Sequence, residues 1–253
     1  MSHIGTDITI PVSIKYNERK QMTLWGIRLN ADFAHFDCSE NARMYSPHEL
    51  INTGVMLVHL RPINEKWSII AGLGVGIYAP TNYIKWKSIL ANGGLVFAYK
   101  LHSNLSVGAG AGLTNSFGIP MILPMVYVNW SKKGKYEFSV NFMGRLKLTA
   151  ATWLSSKWKL TCNAIDMSGM SAVMSIDGKT KLYSTSTIRS DLKASYYINR
   201  HFSVYGAIGG VWRRTSFICN REISEMFDHM FSSHDKQVFS PAIQVQTGIS
   251  YEF

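Results

Sequence analysis

Between positions 239 and 253 two kinds of side chain alternate without a break. Phe239, Pro241, Ile243, Val245, Thr247, Ile249, Tyr251 and Phe253 form one largely apolar set, and Ser240, Ala242, Gln244, Gln246, Gly248, Ser250 and Glu252 form the other. Successive residues of a β-strand point to opposite faces, so this period of two predicts a strand with one apolar and one small or polar face. The pattern recurs upstream. Trp25, Ile27, Leu29, Ala31 and Phe33 alternate with Gly26, Arg28, Asn30 and Asp32. Stretches 67–78, 91–101 and 105–114 oppose large apolar residues to Gly72, Gly74, Gly76, Gly94, Gly108, Gly110 and Gly112. Further alternating strands are predicted over 136–142, 145–153, 158–164, 188–198 and 202–212, and less distinct ones over 8–16, 51–63 and 121–130.

The same alternation is open to a strand of a soluble sandwich, but such a sandwich keeps its large residues inside and its charges outside. Here the polar face carries too few charges for a solvated exterior. It suits the inside of a barrel whose apolar face meets lipid. The connections fall into two classes. Short polar turns at 17–20, 64–66, 102–104, 132–135, 155–157 and 199–201 interleave mainly with longer segments at 38–50, 79–90, 166–184 and 215–238, with Asp177-Gly178 a turn inside the third. The expected architecture is therefore all-β, an antiparallel transmembrane β-barrel of about 12–14 strands. Residues 1–253 are expected to form one outer-membrane barrel domain, with long extracellular loops and short periplasmic turns. Counting from Ile8 reaches about thirteen strands, whereas bacterial single-chain barrels use an even number. Two expectations follow: either a first strand and a signal peptide are lacking from this chain, or the first segment is no barrel strand and the total is twelve.

Composition agrees with a surface that avoids water: 46% of the 253 residues are hydrophobic and 17% charged, against about a quarter charged in a soluble domain. Residues 101–130, free of Asp, Glu, Lys and Arg, are broken by Gly108, Gly110, Gly112, Gly118, Pro120 and Pro124, so no membrane-spanning helix is expected. Formal charge is +10. Lys and Arg are spread along the chain rather than gathered in one block, which argues against nucleic acid and suits outer-membrane lipid and lipopolysaccharide as partners. Cys38, Cys162 and Cys219 are far apart and odd in number, so neither a disulfide framework nor a metal site is expected.

Little in the chain carries chemistry. The two G-x-G-x-G runs open no helix and fail the test for a phosphate loop. His102-Ser103 lies in a predicted turn rather than on one strand face. No catalytic residues, metal or cofactor are expected. Arg28, Asp32, Glu137, Arg145, Lys147, Lys159, Arg189, Asp191 and Lys193 all fall on predicted lumen faces, where both signs of charge can line a path for a small solute. Basic groups outnumber acidic ones there, so a pore would prefer anions. Trp25, Trp67, Trp130, Tyr136, Trp158 and Tyr251 fall near strand ends, as girdle aromatics do. In the last long loop Ile223, Met226, Phe227, Met230 and Phe231 make one apolar stripe of a short helix, with Asn220 placed to cap it. Such a helix would cover the barrel mouth, lie on the outer leaflet or pack on a neighbouring loop.

Gly72-Leu-Gly-Val-Gly-Ile-Tyr, Leu105-Ser-Val-Gly-Ala-Gly with Pro120 and Pro124 after it, the Trp153/Trp158 hairpin and the terminal Tyr-Glu-Phe resemble an uncharacterised outer-membrane β-barrel family common in Bacteroidota. The resemblance spans most of the chain and implies fold and location rather than an activity. The ending also resembles the closing strand of outer-membrane barrels, which implies that Tyr251 and Phe253 form a C-terminal signal read by the barrel assembly machinery. The function expected is a non-enzymatic, porin-like channel, transporter or structural barrel with a polar, net basic lumen. A barrel enzyme acting on lipids and a soluble periplasmic all-β binding domain are the alternatives.

Overall fold

The computed structural model describes residues 1–36, 47–115, 121–143, 145–222, 224–225 and 237–251. In chain order the strands are β1 (Ser2–Tyr16), β2 (Met22–His35), β3 (Glu49–Pro62), β4 (Trp67–Pro80), β5 (Ile89–His102), β6 (Leu105–Thr114), β7 (Met121–Lys132) and β8 (Tyr136–Met143). There follow β9 (Leu146–Trp153), β10 (Trp158–Ser168), β11 (Ser171–Ile176), β12 (Lys179–Tyr197), β13 (Phe202–Asn220), β14 (Gln237–Phe239) and β15 (Ala242–Tyr251). All fifteen join one antiparallel sheet, and a 3₁₀ turn, Trp86–Ser88, interrupts the β4–β5 connection.

Each strand from β1 to β9 bonds to the next, so this part of the sheet is a meander. Further on, pairs of short strands share one long partner. β10 and β11 both pair with the 19-residue β12, and β14 and β15 both pair with the 19-residue β13. The interruptions have local causes. At Gly169 an added Cβ would run into the Thr185 carbonyl, and Pro241 has no N–H to give a ladder. The fifteen strands therefore make thirteen staves, matching the stave count expected from the alternation, with β1 reaching back to Ser2 rather than starting at Ile8. Segment 166–184, expected as a long connection, is instead the continuation of β10 into a β11–β12 hairpin.

The six short turns from β1–β2 to β12–β13 lie at one end of the sheet, and four of them are built alike. Asn17 Oδ1 accepts from the Arg19 and Gln21 amides at 3.1 and 2.9 Å, and Asn64 Oδ1 from those of Lys66 and Trp67, both at 2.9 Å. Asn199 and Ser155 do the same for the residues two and three ahead. A side-chain acceptor that stands in for the missing strand partner is what lets three or four polar residues reverse the chain.

The sheet is curled, because β11 meets β3 and β4 as well as its ladder partner β12. Large side chains on one face are exposed, among them Leu73, Val126, Ile208 and Ile243, while residues of the other face meet each other across the curl. Among the described residues β1 and β15 share no ladder. Alternation over thirteen antiparallel staves makes these two edges run in the same direction. At the end opposite the short turns the margins nevertheless approach. The Arg214 guanidinium of β13 lies 4.4 Å from the ring centre of Phe36 and 4.2 Å from that of Phe239, with Nη1 3.5 Å from Met1 Sδ.

Glycine makes part of the curl. A Cβ on Gly110 would collide with the Leu95 carbonyl and one on Gly108 with that of Phe97, while one on Gly74 would stand 2.7 Å from Val55 O. Strands β3 to β6 are thus in closer approach than any side chain would allow. Gly110→Ala is expected to destabilise the sheet by about 1–3 kcal/mol. Gly206→Ala, where an added Cβ meets nothing within 4 Å, should cost well under that; urea unfolding of the two variants in detergent measures the difference.

Candidate functional site: a filled mouth and a charged inner wall

The hairpin β11–β12 is set off by Asp177 (φ 50°) and Gly178 (φ 75°). Two consecutive positive φ values are the signature of a type I′ turn, whose twist matches the strands it joins. Instead of projecting outward, the hairpin and the end of β13 enter the space enclosed by the curl. One of its faces, with Val173, Leu182 and Cys219, packs against Leu90, Tyr78, Met121 and Leu123. The opposite face, with Ala172 and Tyr183, packs against Ala34, Phe36 and Leu50. Ala172, Val173 and Tyr183 are 0% exposed. A two-sided insert between the inner faces of β2–β3 and β4–β7 stops that end of the sheet.

Polar contacts hold the insert at its rim. Lys87 Nζ donates to Thr180 Oγ1 at 3.3 Å, and Arg221 donates to the carbonyls of Lys87 (3.3 Å) and Asn115 (2.8 Å). Turned to suit its neighbours, the buried Asn52 amide donates to Ser171 O at 2.8 Å. The insert thus bridges the β4–β5 connection, the end of β6 and the wall of β3.

Below it the inner face is charged in two patches separated by glycine. On β1 and β2, Arg28 binds Asp7 through Nε and Nη2, and His3 Nε2 lies 3.0 Å from Asp32 Oδ1. On β8 to β12, Glu137 accepts from Lys159 Nζ at 2.6 Å and from Trp153 Nε1 at 3.3 Å. Asp166 accepts from Arg189 at 3.1 Å with Lys147 Nζ 4.0 Å away, and Asn163 donates to the buried Asp191 at 2.7 Å. Lys193 Nζ sits 5.1 Å from the Tyr205 ring centre. Between the patches, Gly72, Gly74, Gly76, Gly108, Gly110 and Gly112 present no side chain at all.

Eight of the nine residues expected on this face are therefore brought to it: Arg28, Asp32, Glu137, Lys147, Lys159, Arg189, Asp191 and Lys193. Arg145 departs from the expectation, lying exposed in the β8–β9 turn just before β9 begins. Asp7 and Asp166 are additions. Asp166 is aimed inward by a β-bulge: Asn163 pairs with Thr149, but the next pair is Ile165 with Leu148, so one extra residue is absorbed and the following side chain changes face. Strict alternation would have put Asp166 outside. Among the described residues these wall groups number five basic and five acidic, and Arg214, paired with Thr187 nearer the long-loop end, adds one further cation, so the basic excess expected there shrinks to one.

Of the helix expected in the last loop, Ile223, Met226, Phe227, Met230 and Phe231 lie outside the described residues. Ser224 and Glu225 are helical, and the Glu225 carboxylate accepts from the Asn220 backbone N–H at 2.8 Å and from its side chain. Tyr251 ends β15 opposite Phe202 and is exposed; Phe253 lies outside the described residues. Trp25, Trp67, Tyr136 and Trp158 are exposed near the short-turn end. Cys162 and Cys219 are free thiols, and Cys38 is outside the described residues. Among the described residues no three His, Cys, Asp or Glu side chains are grouped to hold a metal, and no helix is long and apolar enough to cross a membrane.

Residues 1–252 match the model of a family described as a domain of unknown function (DUF6268), and the chain belongs to that family. No curated protein and no solved structure matches it.

The packing of the insert should dominate the charged wall energetically. Tyr183→Ala opens a cavity at a fully buried site and is expected to cost about 3–5 kcal/mol. Asp166→Asn, in a partly exposed pair, should cost about 1 kcal/mol or less. Denaturant midpoints of the two variants decide the order.

Proposed function

We propose that this DUF6268 chain is an integral outer-membrane β-barrel and a non-enzymatic channel for small polar solutes, closed at its long-loop mouth by its own β11–β12 hairpin. The observation that carries the proposal is the inversion of polarity. Large apolar side chains are exposed around the outside of the sheet, with Leu73 60%, Val126 56%, Ile208 60% and Ile243 84% accessible, while charge, amide and glycine face inward. A sheet bathed in water on its outside would need polar groups at those positions, whereas lipid supplies their solvent. Tight turns at one end and most long connections at the other fit the same reading.

The edges β1 and β15 must then meet in the membrane, since an open edge in lipid leaves N–H and C=O groups unpaired at several kcal/mol each. The approach of Met1, Phe36, Arg214 and Phe239 at one end supports such a meeting. The hairpin blocks the mouth with apolar side chains, and the wall below it is a polar surface carrying both signs of charge in nearly equal number. Opening therefore requires the hairpin to leave.

Conductance across planar bilayers after refolding from detergent tests this directly. The wild-type chain is expected to be silent or to open rarely. Val173→Asp with Leu182→Asp places two carboxyl groups in the apolar packing and is expected to expel the hairpin, giving steady channels with little preference between potassium and chloride. Silence from a variant that still shows the heat-modifiable migration of a folded barrel would contradict the channel and leave a structural barrel.

A further inference from the structure

The fold sorts the charges that are scattered along the sequence. The six short turns with their adjoining residues, 15–21, 61–67, 100–105, 132–136, 154–157 and 198–202, carry eleven lysines and arginines against two glutamates, Glu18 and Glu65, a net +9. Among the described residues, the connections at the other end carry Lys85, Lys87, Arg145 and Arg221 against Asp177, Glu222 and Glu225, a net +1. Nearly all of the formal +10 thus stands on one rim.

That rim is more than a charged edge. Just inside it, on the outer face, Trp67 packs on Tyr99 at 4.9 Å between ring centres and Trp158 on Tyr196 at 5.1 Å. Paired aromatics beside a ring of lysine and arginine match the headgroup layer of a bilayer, where aromatic rings sit at the interface and cations reach phosphate. Between the first three turns lies an open cleft of about 620 Å³ lined by Arg19, Gln21, Glu65, Lys66 and Lys100. Its one carboxylate, Glu65, is bound to Arg19 at 3.0 Å, and Lys66 Nζ rests 5.9 Å from the Tyr99 ring centre. Three cations against one committed anion leave the cleft complementary to a phosphodiester.

We propose that the short-turn rim binds the headgroups of anionic phospholipid and that the cleft of Arg19, Lys66 and Lys100 receives a headgroup phosphate. The inference rests on the membrane reading above and assigns the basic charge of the chain to the leaflet on the short-turn side. Lipopolysaccharide, the polyanion expected from charge alone, would meet the opposite, nearly charge-balanced end of the barrel.

The test uses the full chain purified in zwitterionic detergent and titrated with short-chain phosphatidylglycerol or phosphatidylcholine, with bound lipid counted by native mass spectrometry. Phosphatidylglycerol is expected to bind at least about tenfold more tightly, less so as salt is raised. Combining Arg19→Gln, Lys66→Gln and Lys100→Gln should weaken it by about fivefold per charge removed. Arg19→Lys with Lys66→Arg and Lys100→Arg should keep the preference, and Glu65→Gln should strengthen it. Lys85→Gln with Lys87→Gln, at the other end, should leave it unchanged. Equal binding of the two lipids, or a preference that survives the triple glutamine variant, overturns the inference while the membrane reading stands. A chain that remains dissolved and folded without detergent overturns both.

Discussion

The structure depends on the burial of one hairpin inside its own sheet. Almost everywhere else the large apolar side chains point outward, and the inner face has little to pack with. Among the described residues, full burial of apolar groups is concentrated where β11–β12 meets the opposite wall: Val173, Leu182 and Cys219 against Leu90, and Ala172 and Tyr183 against Ala34, Phe36 and Leu50. Each such side chain contributes about 1.5–3 kcal/mol when removed from water. The insert ties staves that are far apart in sequence, and it fixes the curl at one end. It also fills the space inside that end of the curl, so one interaction sets both the shape of the sheet and what its inner face encloses.

Most of the fold was legible from alternation, because a sheet with unlike solvents on its two faces writes a strong period of two into the chain. The hairpin was not, for the same physical reason. Both of its faces are buried, so Ala172-Val173-Met174 and Leu182-Tyr183 show no polar face to alternate with, and the segment reads as a connection. Asp166 was hidden by a bulge, whose extra residue breaks the parity that assigns side chains to faces. Arg145 was misplaced by one residue at a turn. Pairing of residues on neighbouring staves, such as Asp7 with Arg28 or Glu137 with Lys159, follows from register, which turn chemistry sets locally and which a single strand does not reveal. The glycine wall was visible as composition, but its purpose, close passage of Gly108 and Gly110 over the Phe97 and Leu95 carbonyls, belongs to three dimensions.

Charge tells a similar story. Spread along the chain, Lys and Arg looked diffuse; a meander that returns to the same end every second stave collects them on one rim. The inner wall, by contrast, gains Asp7 and Asp166, loses Arg145, and with Arg214 counted is within one charge of balance. The positive charge of the protein is therefore a property of an edge rather than of a channel, and the two features call for different partners. The exposed aromatics lie with the rim, so the ring of cations, the aromatic belt and the apolar outer face follow one another in the order in which water, headgroups and acyl chains follow one another in a bilayer.

The account turns on which face meets lipid, and β15 offers the most direct reading of it. Single cysteines at 243, 245 and 249, and at 244, 246 and 250, can be spin-labelled in a cysteine-free background and reconstituted into vesicles. Collision with bilayer-dissolved oxygen, compared with a water-soluble nickel complex, should then alternate with a period of two, high for oxygen at the odd positions and low at the even ones. Equal access of both reagents along the strand, or failure of the folded chain to partition into vesicles, would contradict a lipid-facing outer surface.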